Sequence, residues 1–391
     1  MKITSVKGIA LRCQCEPISD ALSTSTARQA LLVRVETDTG LYGLGEAFTY
    51  GTPLAVMKYL VENTLGPVIV GADPVNIQEL WNTMYLRTLA GGRRSMMMGA
   101  ISGIDIALWD LLGKLEHKSV CELLGPCSDR VASYASAGFY APGKDVDALR
   151  REFEGYLSMG YTDGKLKIGR NLDRTPAPLS YMANQDWAVS VDTDWKRIEA
   201  VRKVLGKGRL IVDTNASWTT EMTLANSGIL SQLGVDMIEE PIPFEDMEGF
   251  ARLCRELPEE MQVIGCETQQ GLAAFTAMVR AGALDIVQPD VGWAGGITEV
   301  RRIGQMALDN GRKISLHCFG SAVLFAASLH VAAAMPNTES FESEENPNPL
   351  KSDIIKKPFE ADQHMSWYVP QGEGLGIDID WEKLQCYTVT V

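Results

Sequence analysis

The sequence predicts an α/β protein in which a closed barrel of parallel strands follows an α+β domain. From Val131 onward, short apolar runs alternate with helical patterns, as in a repeating strand–helix unit of about 30 residues. The first 125 residues instead place strands before helices. Reactive side chains end successive apolar runs at intervals of 23 to 28 residues, namely Asp213, Glu239, Glu267, Asp290 and His317.

The barrel prediction depends on the number of strands, and eight strands can close a barrel. Eight candidates are found, at residues 131–138, 164–168, 209–213, 236–239, 262–266, 284–288, 313–317 and 339–342. This pattern predicts a modified TIM barrel of the (β/α)7β type. The gap between the second and third strands is longer than the others. We interpret its excess, Asn171–Asp194, as an exposed excursion rich in Pro, Asp and Thr.

The N-terminal region has a different pattern. Strand alternation and a hairpin turn are followed by helical periodicity, with strands at 2–12, 30–37 and 41–47 and helices at 54–65, 76–86 and 98–115. We therefore expect a capping domain over residues 1–125 and the barrel over residues 126–361. A Gly/Pro-rich tail and a last strand-like run predict that residues 362–391 return to the capping domain.

Composition and net charge argue against some classes of binding partner. The chain has 391 residues, 46% of them apolar, and a formal net charge of −14. Nucleic acids and anionic membranes attract basic surfaces, so neither is expected as a partner. A small carboxylic-acid substrate is compatible with the charge, because a bound divalent cation can reverse the local field.

Cysteine usage and the N-terminus predict a cytoplasmic protein. The eight cysteines are scattered without a repeated CxxC motif, which indicates free thiols in a reducing compartment. The N-terminus alternates like a strand and lacks the apolar block of a signal peptide. No run approaches the roughly 18 apolar residues of a membrane span.

Three carboxylates indicate a metal site. Asp213, Glu239 and Glu267 would end consecutive strands, whose carboxyl ends meet at one face of a barrel. Without a cation they would repel one another in a pocket of low dielectric constant, and all-oxygen ligation suits Mg²⁺. The sequence therefore predicts a Mg²⁺ site, to which Asn215 could add a polar contact. Taken singly, each carboxylate is equally compatible with an unrelated surface loop.

Two of the predicted barrel strands carry pairs of charged residues. Glu239 and Glu240 are adjacent, so on a strand only one should point inward, and register does not decide which. Lys165 and Lys167 are two residues apart and share a face. Each ammonium group disfavours the charge of the other, so we expect at least one lysine pKa to fall, which would give a general base. The alternative is an edge strand with two solvated lysines.

Asp290 and His317 would lie on neighbouring strands. A carboxylate bonded to one imidazole nitrogen fixes the tautomer and raises the pKa, which gives a second acid/base group. The alternative is a core histidine with satisfied hydrogen bonds. Glu342, on the eighth strand, is either a substrate contact or one of several loop charges. His330 lies on an apolar helix and is interpreted as structural.

Together these residues resemble the enolase superfamily, and within it the mandelate racemase subgroup. The resemblance covers nearly the whole chain, and its motifs are specific through their order and spacing: Ser102–Leu111, Lys165–Lys167, Asp213–Asn215, Ile238–Pro241, Gly265–Glu267, and Pro289–Asp290 ahead of Gly295–Gly296 and His317. The rival muconate cycloisomerase and dipeptide epimerase subgroup has a lysine on the sixth strand. The segment Asp285–Gly296 contains none.

The resemblance implies roles for the paired residues. It implies that Glu239 is the metal ligand rather than Glu240, and that Lys167 is the base, with Lys165 beside it. It places Asp290 and His317 as a dyad on the opposite face of the substrate.

The resemblance also extends to the substrate and the assembly. It implies that Glu342 contacts the substrate carboxylate. It implies that the first domain caps the barrel mouth through loops near Pro17–Ser25 and Ala47–Pro53. It further suggests a homo-oligomer.

The implied activity is Mg²⁺-dependent removal of the proton α to a carboxylate through an enediolate, with a Lys or His base, as is general for the superfamily. We expect dehydration of an acid sugar to a 2-keto-3-deoxy acid. The alternatives are racemisation or epimerisation of a 2-hydroxy acid and cycloisomerisation of a sugar-acid lactone. An alternative of another class is a non-catalytic binding protein on the same scaffold.

Overall fold

The computed structural model describes residues 1–92, 94–171 and 188–391. The chain begins with a three-stranded antiparallel sheet in the order β1-β2-β3. Its strands are β1 (Ile3–Ser19), β2 (Thr24–Thr37) and β3 (Tyr42–Ala47). Apolar residues alternate along these strands, so one face of the sheet is apolar and packs on the helices that follow.

The helices of this first region follow in chain order. They are α1 (Leu54–Tyr59), a π-helical turn (Leu60–Leu65), α2 (Gly66–Ile69), α3 (Ile77–Gly92), α4 (Met96–Glu116) and α5 (Val120–Leu124). Helix α4 lies directly on β3, and the approach is close because both sides carry glycine. A Cβ atom at Gly45 would lie 2.1 Å from the carbonyl oxygen of Gly103.

Helix α4 is also apolar enough to be compared with a membrane span. Among the described residues it is the helix whose length and composition would suffice to cross a bilayer, and 78% of its most apolar window is buried inside the protein. The sequence analysis expected no run of this kind, since Asp105 and Asp110 interrupt it. Both carboxylates are buried and hydrogen-bonded within the fold, as in a core helix.

Eight parallel strands close the predicted barrel. They are β5 (Ser133–Ala137), β6 (Gly164–Lys167), β7 (Leu210–Asp213), β8 (Met237–Glu239), β9 (Gln262–Gly265), β10 (Ile286–Val287), β11 (Lys313–Leu316) and β12 (Thr338–Glu344). Every predicted barrel strand is confirmed, with ends that agree within two residues. Sequence neighbours pair around the ring, and β12 pairs with β5 to close it.

A helix fills each of the seven connections between these strands. The helices are α6 (Val146–Met159), α7 (Val191–Leu205), α8 (Thr220–Gln232), α9 (Met247–Glu256), α10 (Leu272–Arg280), α11 (Gly296–Asp309) and α12 (Ala322–Ala333). This confirms the (β/α)7β barrel. The predicted excursion Asn171–Asp194 falls mainly on residues 172–187, which lie outside the described residues, while its last residues already belong to α7.

The C-terminal residues return to the first region. After α13 (Pro349–Ser352), strand β13 (Trp367–Tyr368) pairs with β4 (Arg130–Val131), and α14 (Trp381–Tyr387) follows. Thr388 then forms a bridge with Leu11 of β1, and Gly374 forms one with Ser119. These contacts are the ones expected of a C-terminal return, while the domain boundary at residue 125 stays a prediction.

Candidate active site

The strands bring the predicted reactive side chains to one end of the barrel. Parallel register places Lys167 beside Asp213 and Asp213 beside Glu239. Asp290 and His317 form a bridge just beyond β10 and β11. All the residues singled out for acid/base, metal or substrate roles are buried or nearly so at this end, namely Lys165, Lys167, Asp213, Asn215, Glu239, Glu267, Asp290, His317 and Glu342.

Lys165 lies at the centre of an ionic network. Its fully buried Nζ contacts Glu239, lies 2.6 Å from Glu342 Oε1 and lies 3.6 Å from Asp213 Oδ2. Burial lowers the Lys165 pKa, but the carboxylates of Glu239 and Glu342 outweigh burial and hold that pKa well above its usual value.

The expected fall of a lysine pKa is therefore wrong for this arrangement. Lys167 contacts Asp213, and the carboxylate raises the Lys167 pKa despite burial and despite the neighbouring ammonium group of Lys165. The sequence argument considered the two lysines alone. In the folded site the surrounding carboxylates outnumber the two ammonium groups, and their field decides the direction of the shift.

The three predicted metal ligands converge, but Asp213 and Glu239 are paired with lysines and Glu267 with His317. Within the described part of the chain, no group of three or more His, Cys, Asp or Glu side chains is arranged to hold a metal ion. Buried Glu239 Oε2 and Glu267 Oε2 nevertheless find no hydrogen-bond partner among the residues that the structure describes. Burial and neighbouring carboxylates raise the pKa of both glutamates. Crowded carboxylates with unpaired oxygens from adjacent strands suit a hard divalent cation, so the donor set fits Mg²⁺.

Asp290 and His317 form the predicted dyad. His317 Nδ1 lies 2.6 Å from Asp290 Oδ2, and Asp290 Oδ1 accepts a hydrogen bond of 2.7 Å from the Gly292 N–H. His317 Nε2 lies 3.4 Å from Glu267 Oε2. Burial lowers the His317 pKa, but the carboxylates of Glu267, Glu342 and Asp290 raise it to about 10. The imidazole is held in one orientation with its second nitrogen beside the carboxylate cluster.

Glu342 and Asn215 occupy fixed positions around this centre. Glu342 accepts hydrogen bonds from Ser136 Oγ at 2.6 Å and from the Cys318 N–H at 3.3 Å. Burial raises the Glu342 pKa, but Lys165 and His317 bring it down to about 2, so this group is a carboxylate. The backbone N–H of Asn215 donates to Asp213 Oδ1 at 2.8 Å, which orients that carboxylate.

The expectation that only one of Glu239 and Glu240 points inward is not met. Both side chains are buried, with Glu239 0% and Glu240 6% exposed. Strand β8 ends at Glu239, and Glu240 has a left-handed backbone with φ of +40°. Strand alternation therefore stops between the two residues. Burial and the nearby Glu267 raise the Glu240 pKa, and Glu240 is a further acidic group beside Asp213, Glu239 and Glu267.

A cavity of about 400 Å³ opens from this cluster. Lys167, Asn215, Glu267 and His317 line its inner end. The hairpin of β1 and β2 and the loop after β3 line much of the remainder, as the resemblance implied for the first domain. Barrel residues complete the lining, namely Phe139, Phe319, Gly320, Asn348 and Leu350. A larger groove of about 1060 Å³ between α3, α4 and α11 contains none of the residues predicted for chemistry, so we place the site at the barrel mouth.

The sequence analysis missed two residues that line the cavity. Arg28 belongs to β2, and Tyr50 follows β3 with a φ of +43°. The Tyr50 ring stacks on His317 with centroids 6.0 Å apart and planes inclined by 18°. No local pattern marks Arg28. The resemblance placed the loop near Ala47–Pro53 at the barrel mouth, and Tyr50-Gly51 is a turn signal, but neither singled out the Tyr50 ring as a contact of His317.

The fold and the site together define a class: a capped (β/α) barrel with two acid/base groups beside clustered carboxylates at the strand ends. Two family models match the chain, "Mandelate racemase / muconate lactonizing enzyme, N-terminal domain" over residues 3–125 and "Enolase C-terminal domain-like" over residues 148–383. The chain belongs to the mandelate racemase / muconate lactonizing enzyme family of the enolase superfamily.

Relatives of this family include two acid-sugar enzymes. Arabinonate dehydratase of Saccharolobus solfataricus is 35% identical over 92% of this chain and 91% of that protein. D-galactarolactone cycloisomerase of Agrobacterium fabrum is 30% identical over 98% of both chains. The crystal structure of a racemase from Streptomyces coelicolor A3(2) with bound magnesium has a TM-score of 0.86 at 26% identity, and the match covers 99% of this chain and 100% of that one.

Proposed function

We propose that this protein dehydrates an acid sugar to a 2-keto-3-deoxy acid. The observation that carries the proposal is the presence of two acid/base side chains, Lys167 and His317, in the wall of one cavity beside a carboxylate cluster. They come from strands β6 and β11, which two other strands separate in the barrel, so they reach the cavity from different sides. The similarity to arabinonate dehydratase supports the same reaction.

We assign the metal-binding role to Asp213, Glu239 and Glu267. Bound there, Mg²⁺ would act as a Lewis acid that stabilises negative charge on the substrate carboxylate. Lys165 is in ion-pair contact with Glu239, Glu342 and Asp213, while Lys167 is in ion-pair contact with Asp213 alone. Engagement of Asp213 in metal binding would leave Lys167 without its ion-pair partner and available as a base.

The proton transfers are assigned to the two acid/base groups. One of them removes the proton from C2 of the acid sugar, which gives an enediolate, and the other protonates the hydroxyl group that leaves from C3. The products are water and an enol, and the enol takes a proton at C3 to become the 2-keto-3-deoxy acid. Asp290 keeps the His317 tautomer fixed during this step. We assign contacts with the substrate to Glu342 and Asn215.

The test is product analysis in deuterium oxide. A dehydratase gives a 2-keto-3-deoxy acid with one deuterium at C3. A racemase returns the intact acid with deuterium at C2, and a lactone cycloisomerase opens a ring without net loss of water. Mass spectrometry separates these products. If no acid sugar loses water while a simple 2-hydroxy acid exchanges its C2 proton, the dehydratase proposal is wrong and racemisation replaces it.

The same proposal includes a reducing location and a self-assembled protein. All eight cysteines are free thiols in the structure, which supports a cytoplasmic location. The net charge of −14 supports a protein without a nucleic-acid or anionic-membrane partner. The homo-oligomer stays a prediction from the family resemblance. Analytical ultracentrifugation of the purified chain tests it.

A further inference from the structure

The outer part of the cavity contains a fixed arginine. Arg28 is 4% exposed and lines the cavity from the first hairpin. Its Nη2 donates to Glu344 Oε1 at 2.7 Å, and its Nε donates to the Pro347 carbonyl at 3.3 Å. The guanidinium lies 4.7 Å from the centroid of the Phe319 ring. Contacts on several sides therefore hold Arg28 in one orientation.

The ion pair between Arg28 and Glu344 leaves one donor and one acceptor unused. Arg28 Nη1 and Glu344 Oε2 are both buried and have no hydrogen-bond partner among the described residues. Asn346 donates to Glu344 Oε1 at 2.7 Å, on the oxygen that Arg28 already uses. Buried polar atoms are nearly always paired. A hydroxyl group both accepts and donates hydrogen bonds, so it could satisfy Arg28 Nη1 and Glu344 Oε2 together.

The Arg28–Glu344 pair lies where the far end of a bound substrate would reach. Glu344 lies two residues beyond Glu342 on β12, about 6.6 Å further toward the open end of the barrel. Glu342 contacts Lys165 at the reacting end. A substrate whose carboxylate lies among Lys165, Lys167 and the clustered acids would therefore extend its last carbons toward Arg28 and Glu344.

The charges at this outer end are already balanced. Among the described residues that line the cavity, Lys167 and His317 lie at the inner end and Arg28 supplies the positive charge at the outer end. Glu344 neutralises Arg28 from behind the cavity wall, and Asp20 is an acidic residue of that wall. A second carboxylate on the substrate would find Arg28 already neutralised and Asp20 nearby, and it could not donate to Glu344.

We propose that the Arg28–Glu344 pair selects acid sugars with a single carboxylate and a distal hydroxyl, so that the substrate is a monoacid of the aldonate type and diacids are rejected. This inference rests on the proposed function and specifies its substrate class.

The experiment compares kcat/KM for matched monoacids and diacids that share their configuration at C2 to C4. We expect the wild-type protein to prefer the monoacid at least 100-fold. Glu344→Gln removes the negative charge and leaves Arg28 positive, so the diacid-to-monoacid ratio should rise at least tenfold. Glu345→Gln is the matched control, because its neighbouring carboxylate instead accepts from Tyr161 Oη and Ser343 Oγ. The control should keep the wild-type ratio.

Two results overturn the inference while the proposed function stands. One is the finding that the wild-type protein dehydrates diacids as fast as monoacids. This comparison requires no variant. The other is a folded Glu344→Gln protein with an unchanged ratio, where folding is checked by circular dichroism and by the thermal unfolding transition. If Glu344→Gln does not fold, Arg28→Lys is used in its place, and loss of the monoacid preference is expected. If neither a monoacid nor a diacid loses water, the proposed function and this inference both fail.

Discussion

Single residues at the barrel mouth show how charge balance governs this site. Lys165 contacts carboxylates from three different strands, and removal of any one of them would change the charge that the others experience. The sequence identified Lys165 and Asp213 from their positions on the predicted strands, whereas the choice of Glu239 over Glu240 and the role of Glu342 came from the family resemblance. The sequence did not give the direction of the lysine pKa shifts, because that depends on distances between strands that are far apart in sequence.

The adjacent glutamates provide a matched pair for testing the metal ligands. Loss of a side chain that only supports a metal ligand weakens metal binding by up to about 100-fold. Glu239→Gln removes the ligand itself, so it should weaken Mg²⁺ binding by at least that factor. Glu240→Gln removes the same charge one residue later and should change the affinity by less than tenfold. Isothermal titration calorimetry measures both. Equal weakening by the two substitutions would show that Glu240 is a ligand as well.

The two acid/base groups should separate by substrate configuration. In deuterium oxide, Lys167→Ala should lose C2 proton exchange for one configuration and His317→Asn for the other, each by a factor of about 10²–10⁴, the usual contribution of a general acid or base. Proton NMR of the recovered acid follows the exchange. If each variant loses exchange for both configurations, one of these side chains is not an independent base.

At the scale of elements, the largest departure from the sequence prediction is the first hairpin. The pattern predicted strands at residues 2–12 and 30–37, whereas β1 extends to Ser19 and β2 begins at Thr24. The added residues are mostly polar or partly exposed, because this end of the hairpin leaves the sheet core and reaches the cavity. Amphipathic alternation reports burial against a core, so it does not detect strands that cover a polar site.

Helix α12 is tied to two other elements through His330, the residue that the sequence analysis interpreted as structural. His330 Nδ1 accepts from the Cys121 N–H of α5 at 3.1 Å, and Nε2 donates to the Leu375 carbonyl of the C-terminal return at 3.1 Å. Both ring nitrogens are satisfied only in the neutral imidazole. Burial lowers the His330 pKa to about 4.

This depressed pKa predicts a loss of stability in acid. The unfolded chain takes up a proton on His330 near pH 6.5, whereas the folded protein does so only near pH 4. Stability from this group is therefore complete above pH 6.5 and falls by about 3 kcal/mol as the pH drops to 4. Urea unfolding of wild type and His330→Asn should differ in pH slope over this window. Substitution of the exposed His364 by Asn should leave the slope unchanged, and a similar effect there would contradict the assignment.

At the scale of the whole molecule, the first region and the barrel are joined by buried carboxylates at helix N-termini. Asp105 of α4 accepts from the N–H and the hydroxyl of Thr298 at the start of α11, at 2.9 and 2.6 Å. Glu46 of β3 accepts from the Leu324 N–H at the start of α12, at 3.0 Å. Carboxylates are favoured at helix N-termini. The SGIDIALWDL motif that indicated the family therefore also joins the two regions.

Loss of one of these contacts should destabilise the first region and the barrel together. Asp105→Ala leaves the Thr298 N–H buried without a partner and should lower the free energy of unfolding by about 1–3 kcal/mol. Glu116→Ala, an exposed change on the same helix, should stay within about 0.5 kcal/mol of wild type. Far-UV circular dichroism and tryptophan fluorescence should report one shared transition. Separate transitions for the two regions would contradict this coupling.

Left-handed backbone conformations stand beside the carboxylates. Asn215, Ala216, Glu240 and Cys266 have φ values between +40° and +75°, at the ends of strands β7, β8 and β9. A residue other than glycine in this conformation destabilises the folded chain by about 1–2 kcal/mol. Ala216→Gly would relieve this strain and keep the hydrogen bond from the residue 216 N–H to the Glu240 carbonyl. At these positions a gain in heat resistance would loosen the backbone that aims the carboxylates, so selection for thermal tolerance there would erode turnover.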